Sequence, residues 1–426
     1  MTPILVIGAL FSFLAIGLPI FLALGFLSLV LFWEEGMPMI ALPQLFLDHL
    51  NSLTLIAIPF FVMAATFMQR GGIAKALIDC AQAWVGSMRG GLALVCVVAT
   101  TIFAAISGSS VATALAMGTI LVPAMIARNY EQHFALGVVG ASGTLGILIP
   151  PSLAMIVFAV IAEESVPRLF LAGVIPGLMQ AGLFIIYIMI YCKVKDYPKE
   201  PGLPRDQFLK VNVHAIPALS IPVIILGGIY SGIVTVSEAA GMAALVSILA
   251  SVFVYKGVSL REVPGVMAES IKITATIVFI IMGALAFGHW ITGAGIADRL
   301  VQFVVEQNLK AWQFLLFMNI MMLVLGMFLE VFAVILITVP LVLPLLEPLG
   351  ISPIHYAIIV TVNMELALIS PPIGLNLYVL SSISSASIAT VIRGILPFII
   401  IMLIQLGLVT YVPELSLWLP ELVYGK

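Results

Sequence analysis

Long apolar runs divided by short polar breaks organise this chain. They fall at about 3–33, 52–69, 92–127, 133–161, 169–192, 214–232, 238–255, 271–292, 311–347, 354–385 and 390–412. A helix needs roughly 20 apolar residues to cross a bilayer core, so most of these runs predict one crossing each. Two do not. The runs 92–127 and 311–347 approach twice that length, and each is interrupted midway, by Ser107-Gly108-Ser109-Ser110 and by the stretch around Gly326 and Glu330. The run from Pro3 to Trp33 is too long for a signal h-region of about 7–15 residues, and no Lys or Arg precedes Arg70. It is expected as one retained membrane helix.

Charge decides how the two double-length runs are threaded, because cytoplasmic loops concentrate Lys and Arg. With a cytoplasmic N-terminus and both runs re-entrant, 13 basic residues face the cytoplasm, and only Arg168, Arg299, Lys310 and Lys426 face out. If both runs cross fully, the split becomes 7 inside and 10 outside. The re-entrant arrangement follows, with the C-terminus periplasmic. Its hairpins enter from opposite sides.

The halves also repeat. Pro123, Pro150, Pro151, Gly173 and Pro176 recur 221 residues later as Pro344, Pro371, Pro372, Gly394 and Pro397, and Gly72-Ile73-Ala74 recurs as Gly295-Ile296-Ala297 at a shift of 223. In the topology above the halves are inverted. The expected fold is therefore an all-α polytopic membrane protein, an inverted repeat with two re-entrant hairpins and broken membrane helices. One membrane domain spans 1–426, with pseudo-repeats at about 50–180 and 270–400. They are linked by 181–269, which carries a basic cytoplasmic loop at 193–210. Such repeats with matched breaks point to a secondary transporter whose site lies near the bilayer midplane.

Composition narrows the partners. Charged residues are 9% of the chain and apolar residues 62%, with a mean hydropathy of +1.25. A soluble domain carries about 25% charged residues, so there is no room here for a separate one. Net charge is −3 and no basic tract interleaves with aromatics, so membrane lipid is the expected surrounding and nucleic acid is not a partner. Cys80, Cys96 and Cys192 lie apart and read as packing residues. The five histidines are scattered, and no transition-metal site or organic cofactor is expected.

The breaks carry the candidate chemistry. A helix can open inside a membrane only where its freed N–H and C=O groups find partners in protein or in a wet cavity. Pro150 and Pro151 lack N–H groups and leave carbonyls free near Gly146 and Ile147. Ser107, Ser109, Ser110 and Thr113 add hydroxyl oxygens. A hard cation takes several oxygen ligands, as calcium does. One sodium ion is therefore placed among Ser107, Ser110, Gly143, Gly146 and Pro150, and by repeat symmetry a second among Gly326, Met364 and Pro371. Ser109, Thr113, Ser142, Glu330, Asn363, Glu365 and Asn376 are assigned to the substrate cavity. Helix N-termini facing each other there would hold a carboxylate. Each feature also has a plainer reading. Small residues pack helices, Pro-Pro kinks them, and Glu330, Glu365 and Asn376 could be structural hydrogen bonders. Glu238, after Thr235-Val236-Ser237, reads as a helix-start partner.

Several motifs resemble the large membrane subunit of TRAP (tripartite ATP-independent periplasmic) transporters, the DctM-like group. They are Ile58-Pro59-Phe60-Phe61 with Gly71-Gly72-Ile73-Ala74, Ser107-Gly108-Ser109-Ser110-Val111-Ala112-Thr113-Ala114, Gly146-Ile147-Leu148-Ile149-Pro150-Pro151-Ser152, Gly173-Val174-Ile175-Pro176-Gly177, Ser237-Glu238-Ala239-Ala240 and Pro371-Pro372-Ile373-Gly374-Leu375-Asn376. The likeness covers essentially the whole chain. One departure is Val236-Ser237, where the family shows Pro-Thr. The resemblance implies sodium-driven, elevator-type import of a carboxylate (a C4-dicarboxylate, sugar acid or keto acid) across the bacterial inner membrane. It also implies two partners, a small four-helix membrane subunit and a soluble periplasmic binding protein. Three rival readings remain. One is a stand-alone sodium/anion symporter and another a channel. The third is an intramembrane serine protease suggested by Gly140-Ala141-Ser142-Gly143, for which no histidine stands in a matching motif.

Overall fold

A computed structural model describes residues 3–425 apart from Met37, Asn51, Ser52, Pro198 and Glu200; Lys426, one of the basic residues expected outside, lies beyond them. Every regular element among the described residues is helical. The first series comprises α1 (Leu53–Arg70), α2 (Ile73–Val85), α3 (Gly91–Ser107), α4 (Ser110–Ile126), α5 (Gln132–Leu148), α6 (Leu153–Ala162) and α7 (Val166–Val194). The second comprises α8 (Val263–Gly293), α9 (Ile296–Glu306), α10 (Ala311–Gly326), α11 (Val331–Leu346), α12 (Pro353–Ile369), α13 (Leu375–Ser384) and α14 (Ile388–Tyr411). Each helix of the first series answers to the one seven places later. The breaks match as well: Gly72 and Gly295 both take positive φ, and Pro150-Pro151 and Pro371-Pro372 are both cis.

Six helices are long and apolar enough to cross a membrane: Gln132–Ala162, Val166–Val194, Arg205–Tyr230, Val236–Val254, Val263–Gly293 and Ile388–Tyr411; α1 and α2, bent by 69°, would make a seventh as one span. By contrast α3, α4, α10 and α11 have 16 or 17 residues each. At 1.5 Å per residue they reach about 25 Å, short of a core of about 30 Å. Gly108, at φ 60°, turns the chain between α3 and α4, which pack on each other. Their counterparts α10 and α11 splay around an apolar cavity of about 580 Å³.

The N-terminal run differs from the expectation. It is two helices, Pro3–Ala15 and Ile20–Glu34, and not one. Gly17 at φ 84° leaves the helical region and Pro19 offers no N–H, so the hydrogen-bond ladder cannot continue through them. Neither piece is long enough to span on its own. Glu238 sits where the sequence placed it. Its carboxylate accepts from the Thr235 N–H at 2.8 Å while Thr235 Oγ1 accepts from the Glu238 N–H at 3.3 Å, a reciprocal cap.

The two series interlock at the centre. Helix α4 packs on α13, and its counterpart α11 packs on α6, so each half contributes to the other's break. Helix α5 packs on both α12 and α14. The α5–α14 crossing is backbone on backbone, because a Cβ built on Gly394 would run into the His133 carbonyl and stand 3.1 Å from Gly137 N. Inserting carbon into so close a crossing costs about 1–3 kcal/mol. Gly394→Ala is therefore expected to lower the melting temperature of the detergent-solubilised protein by several degrees. Gly407→Ala on the same helix, where a Cβ meets nothing within 4 Å, should leave it unchanged.

Candidate functional site

The breaks of both series open onto one cavity of about 470 Å³. Its wall runs from Ser107 through Ala112 on one side to Glu330, Val331 and Phe332 on the other. Ile147 and Leu153 bring in the first Pro-Pro break, Leu368 and Leu375 the second. Helices α1 and α8 close it, with Thr66, Gln69 and Thr276 as their polar contributions. Four helices start at this wall: α4 at Ser110, α6 at Leu153, α11 at Val331 and α13 at Leu375. Each presents the positive end of its dipole, so the cavity is built to receive negative charge.

The first break is a dense set of oxygens. Ser107 Oγ and Thr113 Oγ1 share a hydrogen bond at 2.5 Å, and Thr113 Oγ1 donates to the Ser109 carbonyl at 2.7 Å. From the other half, Asn376 Nδ2 donates to Ser110 Oγ at 2.8 Å. The Asn376 Oδ1 atom beside it is buried and has no partner. Gly146 closes this set from α5; a Cβ there would stand 2.6 Å from the Ser109 carbonyl oxygen and 2.7 Å from Thr113 Oγ1. Only a glycine lets α5 approach so closely. Gly143 faces Ala114 one turn further along. Across the break, Leu153 N–H donates to the Gly108 carbonyl at 3.4 Å, so the hairpin tip and the first Pro-Pro break hold each other. Hydroxyls, an orphan amide oxygen, freed carbonyls and a glycine cradle suit a small hard cation.

The second break is not a copy. At the shift of 221, Glu330, Val331 and Val334 stand where Ser109, Ser110 and Thr113 stand in the first half, so the hydroxyls are gone. Gly326 packs on Ala367 and on the Met364 side chain. Pro371 is exposed, whereas Pro150 is buried. A cation here would draw mainly on main-chain oxygens. Glu330 occupies the cap position at the start of α11 without a side-chain hydrogen bond to the helix, and it lines the cavity.

Three residues assigned to the cavity from sequence stand away from it. Ser142 is enclosed beside the Cys96 thiol. Asn363 Nδ2 donates to Asn319 Oδ1 at 2.7 Å, and Asn319 Nδ2 donates to Thr410 Oγ1 at 3.0 Å, a polar thread joining α12, α10 and α14. Glu365 is completely buried behind the first break. A residue two places along a helix from a cavity residue faces nearly the opposite way, and spacing along the chain does not say which face meets the partner helix. Thr113 and Asn376 form a layer directly behind Ser107, Ser109 and Ser110. Thr66, Gln69, Thr276, Gln180 and Asn319 went unremarked in the sequence, although isolated polar residues inside apolar spans were the available signal.

A family model described as the DctM component of tripartite ATP-independent periplasmic transporters matches residues 7–415. The chain belongs to this family. It is 44% identical over 397 residues to the C4-dicarboxylate TRAP transporter large permease DctM of Pseudomonas aeruginosa, covering 93% of this chain and 92% of that one. It is 38% identical over 438 residues to the corresponding permease of Rhodobacter capsulatus, covering 99% and 100%. The fold is similar to that of the Alcanivorax borkumensis YdaH transporter, with a TM-score of 0.60 at 15% identity over 87% of this chain and 86% of that one. These DctM relatives are transport permeases and not enzymes, and the protein is a multi-pass membrane permease. Members of the family work with a small membrane subunit and a periplasmic binding protein.

Proposed function

We propose that this permease imports a small dicarboxylate of four carbons across the bacterial inner membrane, driven by sodium and supplied by a separate binding protein. The observation that carries this reading is the convergence of four helix N-termini on one cavity beside an oxygen cluster with an unpartnered acceptor, Asn376 Oδ1. The N-termini hold the acid, and the cation bound among Ser107, Ser110, Gly143, Gly146 and Pro150 supplies the remaining positive charge. A second ion would use carbonyl oxygens around Gly326, Met364 and Pro371. Each sodium ion falling through 100 mV releases about 2.3 kcal/mol, enough to concentrate a substrate when more than one ion is coupled. The substrate class is supported by the names of the similar permeases.

In this reading α3–α4 and α10–α11 are re-entrant hairpins from opposite sides, with the N-terminus cytoplasmic and the C-terminus periplasmic. They move as a unit with the broken helices against α1 and α8. Reconstituting the chain with its small subunit and binding protein tests the proposal. Uptake of a C4-dicarboxylate should need all three proteins and an inward sodium gradient, and should saturate. Uptake that persists without sodium, or a current that rises without saturation, would overturn it.

A further inference from the structure

Behind the first break lies a buried carboxyl that the transport reading does not use. Glu365 on α12 has no exposed surface, and neither of its oxygens has a hydrogen-bond partner. At the repeat shift of 221 its counterpart is Thr144 on α5. Gln180 of α7 stands between these two equivalent positions. Its Nε2 donates to Thr144 Oγ1 at 3.1 Å, Thr144 Oγ1 donates to the Ala141 carbonyl at 2.8 Å, and its Oε1 is buried without a partner. The Gln180 amide is also the side chain in polar contact with Glu365.

We propose that Glu365 is a proton-binding site: the carboxyl is held as the neutral acid and, through Gln180, clasps the two broken helices α5 and α12 together at the centre of the repeat. An ionised carboxylate stripped of water needs a counter-charge. The elements packed on α12 are α5, α6, α7, α10, α11, α13, α14 and the helix Glu414–Tyr424. Among the described residues no Lys, Arg, His, Asp or second Glu from these elements bears on Glu365; burial and Gln180 are all that do. A proton needs one acceptor, and Gln180 Oε1 is free to be it. A chain of hydrogen bonds then runs through the layer: Glu365 O–H donates to Gln180, Gln180 to Thr144, and Thr144 to the Ala141 carbonyl.

Glu365 is on this account a positioning residue, and its test needs more than activity. Infrared difference spectra of the purified chain should show the carbonyl stretch of a protonated acid at neutral pH that Glu365→Gln removes. Glu365→Gln keeps the shape and the neutral state, so sodium-dependent uptake should stay within about twofold of the unsubstituted protein, whereas Glu365→Met leaves Gln180 unpaired and should lose most of it. Absence of the acid band, or a Glu365→Gln variant that inserts normally but has lost uptake, overturns the proposal. Gln180→Leu is the second arm. It removes the acceptor, so the acid band should move to higher frequency, and an unmoved band overturns the clasp even if Glu365→Gln fails to insert. The spectra require no transport, so the outcome is independent of whether sodium drives uptake.

Discussion

Gly146→Ala is expected to lower sodium-driven uptake by an order of magnitude or so while leaving the protein inserted in the membrane. The added methyl would point at the Ser109 carbonyl oxygen and Thr113 Oγ1, 2.6 and 2.7 Å away. Both atoms belong to the oxygen cluster, and both are already hydrogen-bonded within it. The cluster must either open or expel α5, and overpacking of this kind costs about 1–3 kcal/mol locally. That cost falls on the site itself, so a loss of roughly five- to hundredfold in uptake follows from the energy alone. Gly182→Ala on α7 is the control, because a Cβ there meets nothing within 4 Å. Uptake in vesicles, normalised to inserted protein, reads both variants. Equal losses would show that glycine content and not the cradle matters, and no loss in either would remove Gly146 from the site.

Ser110→Ala should raise the sodium concentration needed for half-maximal uptake. The hydroxyl is a candidate ligand, and it also accepts the hydrogen bond by which Asn376 reaches across from the second half. Its removal takes one oxygen from the cation and leaves a buried amide donor unsatisfied. A hydrogen bond or contact to a charged partner is worth about 1.5–3 kcal/mol, which corresponds to roughly a ten- to hundredfold weaker sodium response. Maximal uptake at saturating sodium should fall far less than the affinity. An unchanged sodium curve would move the ion elsewhere. Asn376→Ala should shift the curve in the same direction, because its unpartnered Oδ1 lies beside Ser110.

Serines at 107–110 and the paired prolines were visible because polar and ring residues stand out in apolar runs, and because the pairs recur at a fixed shift. Asn376 was visible only as a polar residue near a break; that it grips Ser110, 266 positions away in the chain, was not. The N-terminal run reads as one helix in the sequence because its hydropathy is unbroken. Hydropathy weighs side chains and is blind to the positive φ at Gly17, where the helix ends.

Glu365 shows the limit most sharply. In the sequence it and Glu330 are alike, two carboxyls in apolar surroundings near the breaks of the second half. The fold separates them, Glu330 onto the cavity wall and Glu365 into a closed layer against Gln180.

The order of residues alone determined what is local and periodic: that the chain lives in a membrane, that it is helical, and where proline and glycine interrupt the helices at matched places. Hydrophobicity and backbone geometry act residue by residue, so they can be read without a fold. Which oxygens meet, which carboxyl faces the cavity and which helix starts converge depended on how the two series pack. That packing is set by close crossings such as Gly394 on α5, and the distances between atoms brought together there leave no trace in spacing along the chain.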